Sequence, residues 1–171
     1  FMTGRLIWPQ PLPRYGARIM GEVQKVALPP QSALHARNIA GDFLDCYAVP
    51  STLGADAAAR QALAFPFWAK ALLALRNLVV APFGLRTTLH KGETIGHFPV
   101  ETRTEREVIL GFDDRHLDFR ISILAADGLV YGATWVRCHN AFGRFYLTVI
   151  MPFHILIMRQ AIARAATQAT P

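Results

Sequence analysis

The stretch YGATWVRCHNAFGRFYLTVIMPFHILIM, Tyr131–Met158, constrains this chain more than any other. Leu129–His139 is rich in β-branched and aromatic residues and free of Pro, which suits a strand. Asn140-Ala141-Phe142-Gly143 supplies turn chemistry, with Gly143 able to take a positive φ. Arg144–Ile150 then sets Phe145, Leu147 and Val149 against Arg144, Tyr146 and Thr148, a period of two that predicts a second strand. Pro152 has no N–H to donate, and the first position of a helix requires none, so a helix is predicted over Pro152–Ala166. Its first half, with Phe153, Ile155, Leu156, Ile157 and Met158, is apolar on every side and is therefore expected to be buried on every side. A sheet covers one side only. The segment around Trp68–Val79 is expected to cover the other, with a homodimer packed across the helix as the competing arrangement.

The chain before this stretch divides at Thr94. Residues 1–31 are Pro-rich and are expected to run irregularly over the outside, with room for one short helix in Tyr15–Ala27 and with Ser32 capping a single turn over Ala33–Arg37. Asp42–Val49 alternates and reads as a strand, with Phe43, Asp45, Tyr47 and Val49 on one face. Gly54–Leu78 reads as helical: Ala55–Ala64 first, then a bend at Phe65-Pro66 and a second helix with an apolar stripe. Beyond it, Thr94–Thr102, Glu105–Phe112 and His116–Leu124 read as strands, and Asp127-Gly128 is a short-hairpin signal. The expected architecture is α+β: a curved antiparallel meander of about six strands gripping a long C-terminal helix, with two shorter helices after the first strand. Residues 24–168 are read as one domain of this helix-grip type, preceded by an irregular segment over 1–23.

Composition narrows the function. More than half of the 171 residues are hydrophobic and the charged share is modest, as in a globular domain. The net charge of +6 is spread along the chain without a Lys/Arg stripe interleaved with aromatics, so no nucleic-acid partner is expected. The longest apolar run, about ten residues around Val149–Met158, is too short for a transmembrane segment, so none is expected, and the Pro-broken start is not read as a secretory signal. Cys46 and Cys138, the only cysteines, lie in no CxxC arrangement and are read as reduced thiols of a cytoplasmic protein.

The series DDRHLDFRISIL (113–124), TWVRCHNAFGRFYL (134–147) and MPFHILIMRQAIARAA (151–166) resembles the bacterial family catalogued as domain of unknown function 2867. GDFLDCYAV (41–49), LRN (75–77) and IGHF (95–98) agree with it in order, so the resemblance spans about residues 24–166. The family is grouped with the START-like, Bet v 1-like helix-grip superfamily. That membership implies the same fold and an internal cavity for a small, largely apolar molecule, and it implies no particular activity.

Three functions stay open on the residues themselves. The first is binding of a small apolar or amphipathic molecule, with Trp68, Arg76, Trp135, His139, Tyr146 and His154 as the candidate lining. His154 draws notice because an imidazole among buried apolar residues needs a partner, either a core group such as Tyr146 or a ligand. The second is catalysis by His116, Asp118 and Arg120, which share a strand face: Asp118 would orient His116 as a base while Arg120 holds an anion. The plainer reading of that trio is the wet face of an antiparallel strand. The third is a structural or partner-binding domain with a filled core. A metal site from His116, His139 and His154 with Asp45 or Asp118 lacks any ligand-spacing signature, and no phosphate loop or dinucleotide fingerprint is present, so no cofactor is expected.

Overall fold

The computed structural model describes residues 22–64 and 92–166. They form strands β1 (Gln24–Lys25), β2 (Phe43–Pro50), β3 (Thr94–Ile95), β4 (Phe98–Arg103), β5 (Glu107–Asp113), β6 (Leu117–Ala126) and β7 (Leu129–Cys138), with helices α1 (Ala55–Ala62) and α2 (Ala141–Arg164). The strands make one sheet in the order β1-β2-β7-β6-β5-β4-β3, and every pairing is antiparallel. The chain leaves β2, crosses to the far edge, and returns strand by strand until β7 pairs with β2. Asp127 and Gly128, both at positive φ, turn β6 into β7 as the two-residue hairpin signal requires. The segment expected as one strand over Thr94–Thr102 is broken at Gly96-His97 into β3 and β4. Within Tyr15–Ala27 the described part holds β1 rather than a helix. The second helix and its stripe, Trp68–Val79, lie outside the described residues.

The C-terminal stretch departs from its expected form. Arg144–Ile150 is not a strand, and Pro152 does not open the helix: both lie inside α2. β7 is already hydrogen-bonded on both sides, to β2 and to β6, so a following strand would have no edge to join. Asn140 begins a helix instead, its side chain accepting from the Gly143 N–H at 2.9 Å. Pro152 is tolerated at an exposed position, where water can reach the Thr148 carbonyl left without its helical donor. As a single 24-residue helix, α2 is long and apolar enough to cross a membrane by length and composition, although its longest continuous apolar run is short.

One face of the sheet meets α1 and α2. Tyr47, Val49, Val108, Leu110, Ile121, Ile123 and Val130 pack there against Ala58, Ala59 and Ala62 of α1 and Met158, Ala161 and Ile162 of α2. Close approach is possible because Gly132 has no side chain: a Cβ there would stand 2.1 Å from the Ile162 Cδ1. Not all of α2 is covered. Phe145 (67% exposed), Val149, Phe153, Ile155 and Leu156 face outward, so the helix is not buried on every side.

The other face is not wet. Leu34, Cys46, Ile109, Ala133 and Trp135 form a second apolar cluster, joined by Val26 and Leu28 of the N-terminal segment. Buried Glu107 fixes that segment, accepting from the Ser32 hydroxyl at 2.7 Å, the Ala33 N–H at 2.9 Å and the Ser122 hydroxyl at 2.5 Å. The strict alternation in β6 therefore does not separate buried from exposed. Arg120 is as buried as Ile121, 4% against 6% exposed. Cys46 lies on this outer face and Cys138 on the helix-side face, both as free thiols, and burial pushes the Cys46 thiol up to about 12.

The start of β2 is tied to β7 by Asp42, which accepts from the Trp135 indole at 2.9 Å and from the Arg137 guanidinium at 2.8 and 3.1 Å. Hydrogen bonding to Arg137 holds the Asp42 carboxyl below the usual range against the opposing effect of burial, with help from the Ile39 N–H and Trp135. A carboxylate whose folded pKa is depressed stabilises fully above its unfolded pKa of about 3.9 and loses that contribution as pH falls through the folded value. Asp42→Asn is thus expected to flatten the acid limb of stability below about pH 4. Urea midpoints of the two proteins, measured at pH 7 and pH 3, check this: the gap between them should narrow at the lower pH.

Candidate functional site

Asp45 stands on the helix-side face of β2 among Phe43, Tyr47 and Val49, and its side chain is 3% exposed. Above it His154, on the inward face of α2, places Nε2 3.1 Å from the Asp45 Oδ2. The Phe43 ring meets the imidazole edge-on at 5.8 Å between centroids. Tyr47 is coupled to the same carboxylate: burial first, then the Asp45 charge and a hydrogen bond to it, raise the phenol, with Arg159 acting the other way. The partner of His154 is therefore a carboxylate rather than Tyr146.

This polar cluster is incomplete. Asp45 Oδ1 is buried with no hydrogen-bond partner among the described residues. So is the hydroxyl of Thr134, the residue directly opposite Asp45 on β7. Directly opposed residues on one face have Cβ atoms about 5 Å apart, so one acceptor and one hydroxyl lie close together on the sheet face beneath α2. Leaving two such groups unpaired costs about 1–3 kcal/mol each.

The side chains above them are partly exposed in a defined place. Met158, Ala161 and Ile162 clamp the C-terminal half of α2 to the core. At the other end Gly143 seats the helix against the His116 carbonyl, which a Cβ would approach to 2.3 Å. Between these anchors Leu147, Ile150, Met151 and His154 are only half-buried, and so are Phe43, Phe112 and Phe119 on the sheet opposite.

The remaining candidate residues do not join this place. Trp135 lies on the outer face, its indole on Asp42 and the Arg137 guanidinium 5.0 Å above its ring. His139 pairs with Asp118 at 2.9 Å at the end of β6 and β7. Arg120 is held by Glu101 and by Asp113, the latter at 2.7 Å. His116 Nδ1 accepts from the Asn140 side-chain amide at 2.9 Å. Each member of the His116, Asp118 and Arg120 trio thus has its own protein partner, and the three do not converge. Tyr146 is half-buried on α2, and Trp68 and Arg76 lie outside the described residues. Among the described residues no group of three or more His, Cys, Asp or Glu side chains is arranged to hold a metal.

Thr134 carries no signal that sequence alone would single out. Asp45 does: the alternation of β2 sets a carboxylate on the face of Phe43, Tyr47 and Val49, where only a partnered charge can stay.

An α+β chain with an antiparallel sheet and a long C-terminal helix, carrying an Asp–His pair between them, is the class this fold defines. The chain belongs to the family described as Protein of unknown function (DUF2867), whose model matches residues 40–161. No curated protein and no solved structure matches it.

Proposed function

We propose that this chain is a helix-grip binding domain that holds a small amphipathic molecule between its sheet and α2, over Asp45 and His154. What supports this reading is the pair of buried oxygens of Asp45 and Thr134 without a hydrogen-bond partner among the described residues, under a partly exposed length of helix. A filled structural core has no use for such groups, since apolar residues of similar shape would be more stable there. The half-buried aromatic and aliphatic side chains beside them suit the apolar part of a ligand, as in most small-molecule sites. Catalysis through His116, Asp118 and Arg120 is disfavoured by their separate pairing.

Native mass spectrometry of the protein purified from its own cells tests the proposal. The wild type is expected to carry an added mass that collisional activation removes, and the Asp45→Val/His154→Leu double variant is expected to lack it. The same adduct on both proteins would place any bound molecule elsewhere.

A further inference from the structure

The proposal leaves the polar end of the ligand unspecified, and the two orphaned groups narrow it. Resting on that reading, we infer that the ligand presents a neutral hydroxyl, of an alcohol or a phenol, to Asp45 and Thr134. Asp45 Oδ1 can only accept a hydrogen bond while ionised, and the Thr134 hydroxyl has both a proton to give and lone pairs to offer. A ligand hydroxyl completes both at once: its O–H donates to Asp45 Oδ1 while its oxygen accepts from Thr134 Oγ1. A carbonyl only accepts and leaves Asp45 unpaired. A carboxylate or phosphate places a second negative charge against Asp45 in a buried setting, which selects against it. An ammonium can donate to Asp45 and to Thr134, but it leaves the Thr134 hydroxyl proton without an acceptor and gives up its strong hydration on burial. Space favours a short chain behind the hydroxyl. The half-buried length of α2 from Leu147 to His154 rises about 10 Å.

The inference is tested by calorimetric titration of the full chain with 1-octanol, octanoate and octylamine, which share an eight-carbon tail and differ only in the head group. Octanol is expected to bind at least about tenfold more tightly than either of the others, the worth of one well-made hydrogen bond in a buried site. Thr134→Val keeps the shape and the strand preference but removes the hydroxyl, and is expected to weaken octanol binding about tenfold. Thr134→Ser, which keeps the hydroxyl, is expected to restore affinity to within about twofold. Tightest binding by octylamine or octanoate overturns the assignment of a neutral hydroxyl and leaves small-molecule binding standing. Equal binding of all three, or a Thr134→Val variant that binds octanol as the wild type does, overturns it in the same way. If none of the three binds saturably, both the hydroxyl assignment and the binding reading fail.

Discussion

Replacing His154 with leucine is expected to lower the stability of the folded chain by about 3 kcal/mol. The loss does not measure the attraction between His154 and Asp45. It measures what remains when the imidazole is gone: a carboxylate 3% exposed, one oxygen already without a partner and the other losing its histidine donor. The double variant Asp45→Val/His154→Leu removes the carboxylate and the imidazole together and places a β-branched residue in a strand. It is expected to equal or exceed the wild type, because replacing both partners of a buried polar contact by apolar residues is often neutral or stabilising. Urea unfolding of the wild type, both single variants and the double variant gives the cycle. If His154→Leu is neutral, Asp45 is not held by His154, and the polar cluster is not as described. A double variant that binds no ligand yet is more stable than the wild type is the signature of a site kept for function at the expense of stability.

The second large effect is expected at Gly143. Inside a helix, Gly→Ala normally stabilises by about 1 kcal/mol. Here the sign should reverse, with a net loss of about 2 kcal/mol, because the added Cβ would stand 2.3 Å from the His116 carbonyl oxygen. A backbone oxygen of the β5–β6 turn cannot rotate away as a side-chain tip can, so the first turn of α2 must lift from the sheet. Asn140, whose side chain both caps that turn and contacts His116, would be displaced with it. Thermal unfolding followed by circular dichroism checks the sign. A stabilised Gly143→Ala protein would mean that the N-terminal end of α2 does not dock against His116.

The parts of the fold legible in the sequence are those where one physical signal acted alone. Strict alternation located β2, β5 and β6 within a few residues, Asp127-Gly128 located a hairpin, and Ser32 located a cap. The errors fell where one residue serves two structures. Asn140 and Gly143 suit a turn and a helix start equally, and Phe145, Leu147 and Val149 keep a period of two while Gly143, Leu147, Ile150, His154 and Met158 keep a helical one. Topology decided between them, because β7 has no free edge, and topology is not a local property of the chain. The burial of Arg120 was hidden for a similar reason. The alternation of β6 says which side chains share a face, and only the distant contact of Ser32 and Ala33 with Glu107 shows that this face is covered. Of the candidate site, His154 was visible as a misfit on an apolar helix and Asp45 as a misfit on an apolar strand face. Their meeting depends on residues separated by most of the chain.

The claim that a ligand lies between the sheet and α2 is tested most directly by methyl-resolved NMR of the full chain titrated with 1-octanol. The account predicts saturable shifts at the Thr134, Val136, Leu147, Ile150 and Ile157 methyls, with those of Leu34 and Ile109 on the outer face unmoved. Shifts confined to the outward residues Val149, Ile155 and Leu156 would contradict it, because the alcohol would then be coating the exposed side of the helix rather than occupying the space above Asp45.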